Sequence, residues 1–556
     1  MRVLGLSGTF HDAAAALLVD GQLVAFAQEE RFSRRKNDAG LPLRAAAFCL
    51  RQAGLTAADL DLVAWHEKPL LKLERILLTS LRTWPGALTA FRRSMVSQFG
   101  DKMWMRSHLV HQLGVAPERV VFSDHHSSHA AAALCCSPFP LEQSAALCVD
   151  GVGEWATTST WDGMKPLDEL HFPHSLGLLY SVFTAFLGFE VNEGEYKVMG
   201  LAAFGKPRYR EALDKVVRRA GDGSFTLDMS FFRFHRDPER SWEPSFEALF
   251  GAPRAPGGPM EDRHRDIAAS IQELTEEILL DLARRLHHRT GKTRLCLGGG
   301  VALNCVAVSR ILREGPFEDV FVMPAAGDAG SALGAALVAA GTPKTPLLHA
   351  AWGEDLEPAR VRDFLKDGGI TFREVADPAV EVAERLAGGQ VIGWMQGRFE
   401  MGPRALGQRS ILADGRAPET KDRLNLKVKH REPFRPFAPS LLAEAAPELL
   451  DLPRGGEAAR RFMTMTVPVK RPEQIPSAVH IDGSARVQEV HAAEQPLYAR
   501  LLAEVGARTG VPAVINTSFN LAGEPIVGSV ADGWSTFLRT DIDALVVGPF
   551  LVERPR

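Results

Sequence analysis

The segment Ser123-Asp124-His125-His126-Ser127-Ser128-His129 packs three histidines into five residues and runs straight into four alanines. The residues before it, 118–122, are short, apolar and β-branched, which reads as a strand, and the alanines read as a helix. Ser123 or Asp124 is a suitable N-cap. On a helix His125 and His129 stand four apart and point the same way, the spacing with which two imidazoles bind one metal ion. His126 lies about 100° round the helix and is assigned to the backbone or a substrate. A metal needs further ligands and an open position. Asp328, at a strand, glycine turn and small-residue helix over 320–336, is the preferred carboxylate, and Asp150 is the next candidate. Two imidazoles with carboxylates suit Fe(II), and Mn or Zn would bind the same set. The segment is equally readable as a polar helix start whose histidines bond only to neighbours.

Other turns carry reactive side chains. His11 lies between two apolar strands, and Gly8 beside it permits close backbone approach to a ligand. The charged run 29–36 follows the same edge, so Lys36 can reach an anionic ligand; His11 and Lys36 are the candidate catalytic residues. In Asp150-Gly-Val-Gly-Glu154 the glycines Gly151 and Gly153 expose N–H groups to phosphate, and the aspartate lies where a metal or Mg-bound nucleotide would sit. Residues 192–205 set acids, Lys197 and glycines in a ligand-facing loop or an ordinary capped turn. Gly298, Gly299 and Gly300, between a strand and Asn304, let the backbone approach a nucleotide.

Beyond residue 390 cations crowd together: Arg398, Arg404 and Arg409, then Lys427, Lys429, His430, Arg431 and Arg435. Such a density needs anions to offset it, and Arg forks match phosphate oxygens bidentately. Interleaved prolines and glycines point to loops, not to a solvated helix face. Arg486, in a strand–turn–strand stretch over 478–488, and Asn516, Ser518 and Asn520, closing an apolar strand, fit the same pocket.

The elements that position these groups follow from periodicity. Strands are predicted over 3–6, 13–19 and 23–27, with Asp20-Gly21 as a hairpin turn. Strands over 144–149 and 157–161 repeat the strand–turn–strand device, and 294–297 and 320–324 are strands before glycine turns. Apolar residues at three and four spacing from Ile267 to Leu286 predict an amphipathic helix over 263–289. A helix over 378–386 has Asp377 as N-cap. Residues 67–117 read as a helical insertion, a lid or substrate collar, and 206–262 as irregular. A Pro/Thr stretch at 341–346 reads as a linker dividing 1–345 from 346–556, and 556 residues exceed one ordinary core. Apolar and charged contents of 46% and 24% are those of a soluble globular protein. A formal net charge of −4 gives no nucleic-acid footprint. Neither a signal peptide nor a membrane span is expected. Six scattered cysteines without a C-x-x-C pair read as buried thiols in a reducing cytoplasm and argue against a cysteine-built zinc site.

Taken together, Phe10-His11-Asp12, residues 125–129, 150–154, 192–205, 298–304, 327–328, 402–410, 479–488 and 516–520 resemble the O-carbamoyltransferases of the nodulation-factor and antibiotic-tailoring type over essentially the whole chain. The resemblance implies an α/β and α+β protein. Its N-terminal domain would be actin-like, built of duplicated ribonuclease-H-like halves and similar to the tRNA-threonylcarbamoyl transferase subunit. Its C-terminal domain would be similar to threonylcarbamoyl-adenylate synthase. The C-terminal domain would make carbamoyl-adenylate from carbamoyl phosphate and ATP with Mg, and the N-terminal domain would pass the carbamoyl group to a hydroxyl of a small-molecule acceptor. By the same resemblance His125, His129, Asp150 and Asp328 hold the metal and His11 is the general base. The turns with Gly151, Gly153, Glu154, Lys197, Gly299, Gly300 and Asn304 hold the adenylate. Arg404, Arg409, Lys429, Arg435 and Arg486, with Asn516, Ser518 and Asn520, hold the polyanions. Neither nucleic acid nor membrane is an expected partner. An actin-like small-molecule kinase and a non-catalytic nucleotide-binding protein are the competing readings.

Overall fold

The computed structural model describes residues 1–554 apart from 222, 238 and 433. A first sheet contains β1 (Arg2–Ser7), β2 (Ala14–Val19), β3 (Gln22–Gln28), β4 (Leu62–Trp65) and β5 (Val120–Phe122), in the order β3-β2-β1-β4-β5. The first three strands are antiparallel, and β4 and β5 continue parallel to β1. Asp20 and Gly21 turn the first hairpin with φ of 49° and 80°, the left-handed pair that a two-residue turn requires. Helix α1 (His125–Cys136) follows β5 directly.

The second sheet repeats this plan. It contains β6 (Ser144–Val149), β7 (Ala156–Asp162), β8 (Lys165–His171), β9 (Arg294–Gly298) and β10 (Asp319–Val322), in the order β10-β9-β6-β7-β8. Again three strands run antiparallel and two run parallel to the first. This is the duplicated, ribonuclease-H-like arrangement of an actin-like fold. Between β8 and β9 lie helix α2 (Glu195–Ala202) and the long α3 (Asp262–Thr290), and after β10 comes α4 (Asp328–Ala339). The apolar stripe of α3, from Ile267 to Leu286, is buried as its spacing requires.

Helices α1 and α4 pack together between the two sheets. Both are built of small residues, so their backbones approach closely. A Cβ on Gly334 of α4 would stand 1.8 Å from the Ser128 carbonyl oxygen of α1, and one on Gly5 of β1 would stand 1.9 Å from the Ala332 carbonyl oxygen. This contact brings the N-terminal ends of α1 and α4 side by side.

The rest of the chain forms an eight-stranded mixed sheet. Its strands are β11 (Arg373–Glu374), β12 (Ile392–Met395), β13 (Arg409–Ala413), β14 (Ala438–Leu442), β15 (Gln488–Val490), β16 (Ala513–Ser518), β17 (Ala544–Val547) and β18 (Phe550–Glu553), in the order β11-β18-β17-β12-β13-β16-β14-β15. Helices α5 (Pro378–Ala387) and α6 (Pro496–Thr509) pack together beside it. Asp377 caps α5 by accepting from the Ala379 N–H at 3.0 Å. Segment 29–37 pins this sheet to the first. Arg31 donates to the Gly402 carbonyl at 2.7 Å, and Arg34 donates to those of Ile526 and Pro525 at 2.8 and 2.9 Å.

Three expectations change. Residues 192–205 are mostly α2, not a loop. Residues 206–262 include the helices Arg210–Val216 and Pro244–Phe250, and Phe246 and Phe250 of the latter pack on Phe183 and Phe186. Such a short aromatic helix has too few turns to display a period. In the stretch 478–488 the strand Ser484–Arg486 follows the turn Pro476–Ala478, and Gln488 opens β15, so the first half of the expected strand–turn–strand is not a strand. Residues 67–117 are helical as expected, with helices Pro69–Arg82, Leu88–Gly100 and Met105–Leu113. All six cysteines are buried and free, and among the described residues no helix is long and apolar enough to cross a membrane.

Gly334→Ala is expected to destabilise the protein by about 2 kcal/mol, because backbone must move to admit the methyl group. A lowered urea-unfolding midpoint checks this; an unchanged midpoint would show that the helix pair has slack to admit a methyl group.

Candidate active site and metal cradle

His125 and His129 of α1, Asp150 just beyond β6 and Asp328 in the first turn of α4 offer ligand atoms that all lie within 4.8 Å of one another. His125 Nε2 is 3.1 Å from His129 Nε2, 3.2 Å from Asp150 Oδ2 and 3.5 Å from Asp328 Oδ1. His129 Nε2 is 3.9 Å from Asp150 Oδ2 and 3.6 Å from Asp328 Oδ1. Ligands about 2.0–2.2 Å from a single ion stand roughly 3–3.6 Å apart. The set therefore fits one ion, and two carboxylates with two neutral imidazoles balance a divalent charge. The two carboxylates also act on their neighbours. Burial alone would push the His125 imidazole down, but Asp328 and Asp150 outweigh it and raise it to about 9. His126, one residue on, faces the other way and bonds Ser159 Oγ at 2.8 Å; burial and then the His125 and His129 charges lower it to about 3.

Much of the glycine- and acid-rich sequence nearby serves this cradle. Asp124 occupies the N-cap of α1 but makes no capping bond and pairs with Lys68 at 2.9 Å. Glu154 caps the helix in its place. Both its oxygens accept from the His125 N–H at 3.1 Å, and one accepts from Lys68 N–H at 2.7 Å. Glu154 thus faces a helix end and not a nucleotide, and a carboxylate there also suits the helix dipole. Gly153 lies against the His125 side chain, where a Cβ would come within 3.0 Å. Gly299, at φ 83°, makes its close approach to β6, 2.2 Å from the Val149 carbonyl oxygen for an added Cβ, and not to a ligand. Gly300 N–H donates to Asp150 Oδ1 at 2.9 Å and fixes that carboxylate. Ser331 Oγ lies 3.3 Å from His129 Nδ1. Such outer contacts orient the ligands.

A cavity of about 810 Å³ opens beside the cradle, lined by His11, Lys36, Asp150, Gly151, Lys197, Gly300, Asn304 and Asp328 on one side and by Lys429, Arg431, Arg435, Ser518 and Asn520 on the other. His11 Nδ1 is 3.0 Å from Asp12 Oδ2, and its Nε2 is 3.6 Å from Asp328 Oδ2. Burial lowers the basicity of His11, but Asp328 and then Asp12 raise its pKa to about 9. The Lys36 side chain has no hydrogen-bond or ion-pair partner among the described residues. Lys197 pairs with Glu432 at 2.8 Å. Asn304 caps the helix after it and exchanges bonds with Gln272, so its amide is already engaged.

On the basic side Lys429 is sequestered. Its Nζ donates to the carbonyls of Ser518 and Asn520 at 2.8 Å each and to Asn520 Oδ1 at 2.7 Å. Burial, then Arg431, Arg435 and Lys36, hold its pKa well below the usual lysine range. Arg431, which the sequence pattern groups with the basic run without placing it in the site, is pushed down by burial and by Arg435 and Arg486. Arg404 is lowered by burial and by Arg486; its Nε and Nη1 have no partner among the described residues, nor does Arg486 Nε. Arg404 and Arg486 stand behind the cavity wall rather than in it. Cations that repel one another with few acids between them favour an anion beside them. Two residues expected there lie elsewhere. Arg409 is fully buried and donates to the carbonyls of Gln396 at 2.7 Å, Gln408 at 3.1 Å and Gly528 at 3.2 Å, so it ties loops together. Asn516 lies two residues deeper in β16 than Ser518, bonded to Ser440 Oγ and Gln488 Oε1 at 3.0 Å each. Asp12 also lines the cavity and was not among the expected site residues; its adjacency to His11 was the available signal.

Residues 2–337 match the family model described as carbamoyltransferase N-terminus, and residues 383–554 match carbamoyltransferase C-terminus. An uncharacterized protein of Synechocystis is 42% identical over 99% of this chain and 96% of its own length. Nodulation protein NolNO of Sinorhizobium fredii is 39% identical over 99% of this chain and 80% of its own. Nodulation protein U of the same organism is 30% identical over 96% of both chains. Among solved structures, component A of (R)-2-hydroxyglutaryl-CoA dehydratase from Acidaminococcus fermentans covers 61% of this chain and 98% of its own at 12% identity, with a TM-score of 0.33.

After loading with Fe(II) and desalting, the chain is expected to retain about one ion. Asp328→Asn and His129→Ala should each abolish retention, and Glu154→Gln should weaken it about tenfold. Elemental analysis checks this, and full retention by Asp328→Asn would remove Asp328 from the ligand set. Arg409→Met should cost about 3 kcal/mol in unfolding free energy by stranding buried carbonyls. Arg435→Met should leave the unfolding midpoint nearly unchanged, and equal effects of the two would erase the distinction between a scaffold arginine and a cavity one.

Proposed function

The chain belongs to the carbamoyltransferase family, and on that footing we propose that it is an ATP-dependent O-carbamoyltransferase whose two half-reactions share one cavity. The observation that carries the reading is that cavity, with His11 and the cradle carboxylates Asp150 and Asp328 at one side and Lys429, Arg431 and Arg435 at the other. In this reading residues 346–556 form a carbamoyl-adenylate-forming domain akin to threonylcarbamoyl-adenylate synthase. They take carbamoyl phosphate, ATP with Mg and one water, form carbamoyl-adenylate, and release phosphate and pyrophosphate. Both substrates are polyanions, and an anion bound against Arg431 and Arg435 would relieve their repulsion of each other and of Arg486 behind them.

Residues 1–345 then carry the transfer. The acceptor hydroxyl oxygen attacks the carbamoyl carbon, its proton passes to His11, and AMP leaves. A positioned base of this kind typically contributes roughly 10²–10⁴-fold. His11 must be neutral to accept the proton, whereas Asp328 and then Asp12 raise its pKa to about 9. A divalent ion bound there, Fe(II) in our reading, would offset the carboxylates and polarise the carbamoyl oxygen as a Lewis acid. Lys36 lines the same cavity, acts electrostatically on Lys429 and has no hydrogen-bond or ion-pair partner among the described residues; in this reading it holds the adenylate phosphate as it crosses the cavity.

Incubation with ATP and carbamoyl phosphate is expected to release pyrophosphate only when both are present. Arg435→Ala should lower that release about a hundredfold. His11→Ala should keep it while stopping transfer to a hydroxyl acceptor. Loss of pyrophosphate release in His11→Ala would overturn the division of the two steps.

A further inference from the structure

The helical insertion 67–117 has no part in the chemistry above, yet it reaches the catalytic loop. In that loop Thr9 and Asp12 adopt left-handed backbone, φ 66° and 53°, a strain that cores seldom keep without a use. Between them Phe10 is turned outward, 58% exposed, while lining the cavity and lying 4.7 Å, ring to ring, from His11. Two ammonium groups from the insertion flank the ring: Lys72 Nζ at 5.8 Å and Lys102 Nζ at 5.9 Å from its centre.

The charges there are not balanced. Lys72 is paired with the buried Glu67 at 2.6 Å. Arg75 donates to the Gly153 carbonyl at 2.9 Å and feels Glu67 and Glu154. The Lys102 ammonium has no hydrogen-bond or ion-pair partner among the described residues, although its side chain is partly buried. Burial and then the Lys72 charge lower it to about 8, an effect that the carboxylates Glu67 and Asp101 oppose without cancelling. An anionic group between Lys102 and Lys72 would relieve that repulsion, and an exposed aromatic face beside it suits the C–H face of a small carbon skeleton.

We propose that Phe10 and Lys102, with Lys72 beside them, form the acceptor subsite, and that the acceptor is a hydroxyl compound bearing a negative charge, a carboxylate, sulfate or phosphate. The proposal rests on the carbamoyl transfer argued above and adds the charge of the acceptor to it. Phe10 fixes the skeleton next to His11, and the ammonium groups select its sign and orientation.

The test uses three acceptors of one ring type: glucuronate, glucose and glucosamine, which carry negative, zero and positive charge. Carbamoylated product is measured by mass spectrometry with ATP and carbamoyl phosphate, and pyrophosphate is measured in the same tubes. Wild type is expected to favour glucuronate over glucose by about tenfold in kcat/KM. Lys102→Met should bring the two within about twofold, and Lys102→Glu should turn the preference toward glucosamine. A reversed preference cannot arise from a merely structural role of Lys102. Equal use of the three by wild type, preference for glucosamine, or no transfer to any of them while pyrophosphate release continues overturns the anionic-acceptor proposal. Absence of carbamoyl phosphate-dependent pyrophosphate release would instead overturn the two-step function on which it rests.

Discussion

Two alanine-rich helices, one from each half of the duplicated fold, touch backbone to backbone, and the site depends on that contact. Gly334 and Ser128 leave no room for a methyl group between α1 and α4. Because the helices start at the same level, His125 and His129 of one meet Asp328 of the other, and the turn after β6 supplies Asp150 from a third direction. Bulky residues on either helix would separate the four groups by more than a single ion can span. Small side chains, which give a helix little hydrophobic driving force of their own, are here the means of bringing ligands together.

The cavity joins two unbalanced charge clusters. On one side Asp150 and Asp328 lie buried together and drive His125 and His11 toward the protonated state. On the other, arginines and Lys429 depress one another's basicity. Buried like charges repel strongly at low dielectric, so each cluster favours a partner of opposite sign. In the function proposed above, a cation at one side and polyanions at the other are those partners. The pinning of segment 29–37 to 402 and 525–526 keeps the two clusters facing a common space.

Several residues with the right chemistry for the site turn out to hold its frame. Glu154 caps α1, Gly299 lets β9 reach β6, and Arg409 bonds the carbonyls of its own loops. Asn516 belongs to a buried polar network between β14, β15 and β16, while Ser518, two residues on, reaches the cavity edge and helps hold Lys429. An arginine or glutamate in a glycine-rich turn has the same composition whether it faces a phosphate or a carbonyl. Which one it faces depends on chain segments more than a hundred residues away, as with Arg409 and Gly528.

Local pattern in the sequence was sufficient for most strands of the two duplicated sheets, the long helix from Ile267 to Leu286 and the histidine pair on α1, because strand alternation, helix period and an i, i+4 spacing are set by neighbours along the chain; the short helices within 192–262 escaped it. The repeat of strand, turn and strand was likewise readable, and with it the duplicated fold. The tertiary structure alone decided that Asp150 and Asp328 both reach the two histidines, that Lys429 is walled in by Ser518 and Asn520, and that Arg409 and Glu154 serve the scaffold. It also decided that the insertion's Lys102 ends beside Phe10. These are meetings between segments far apart in sequence. They are fixed by helix packing distance and sheet order, quantities that no local window of residues contains.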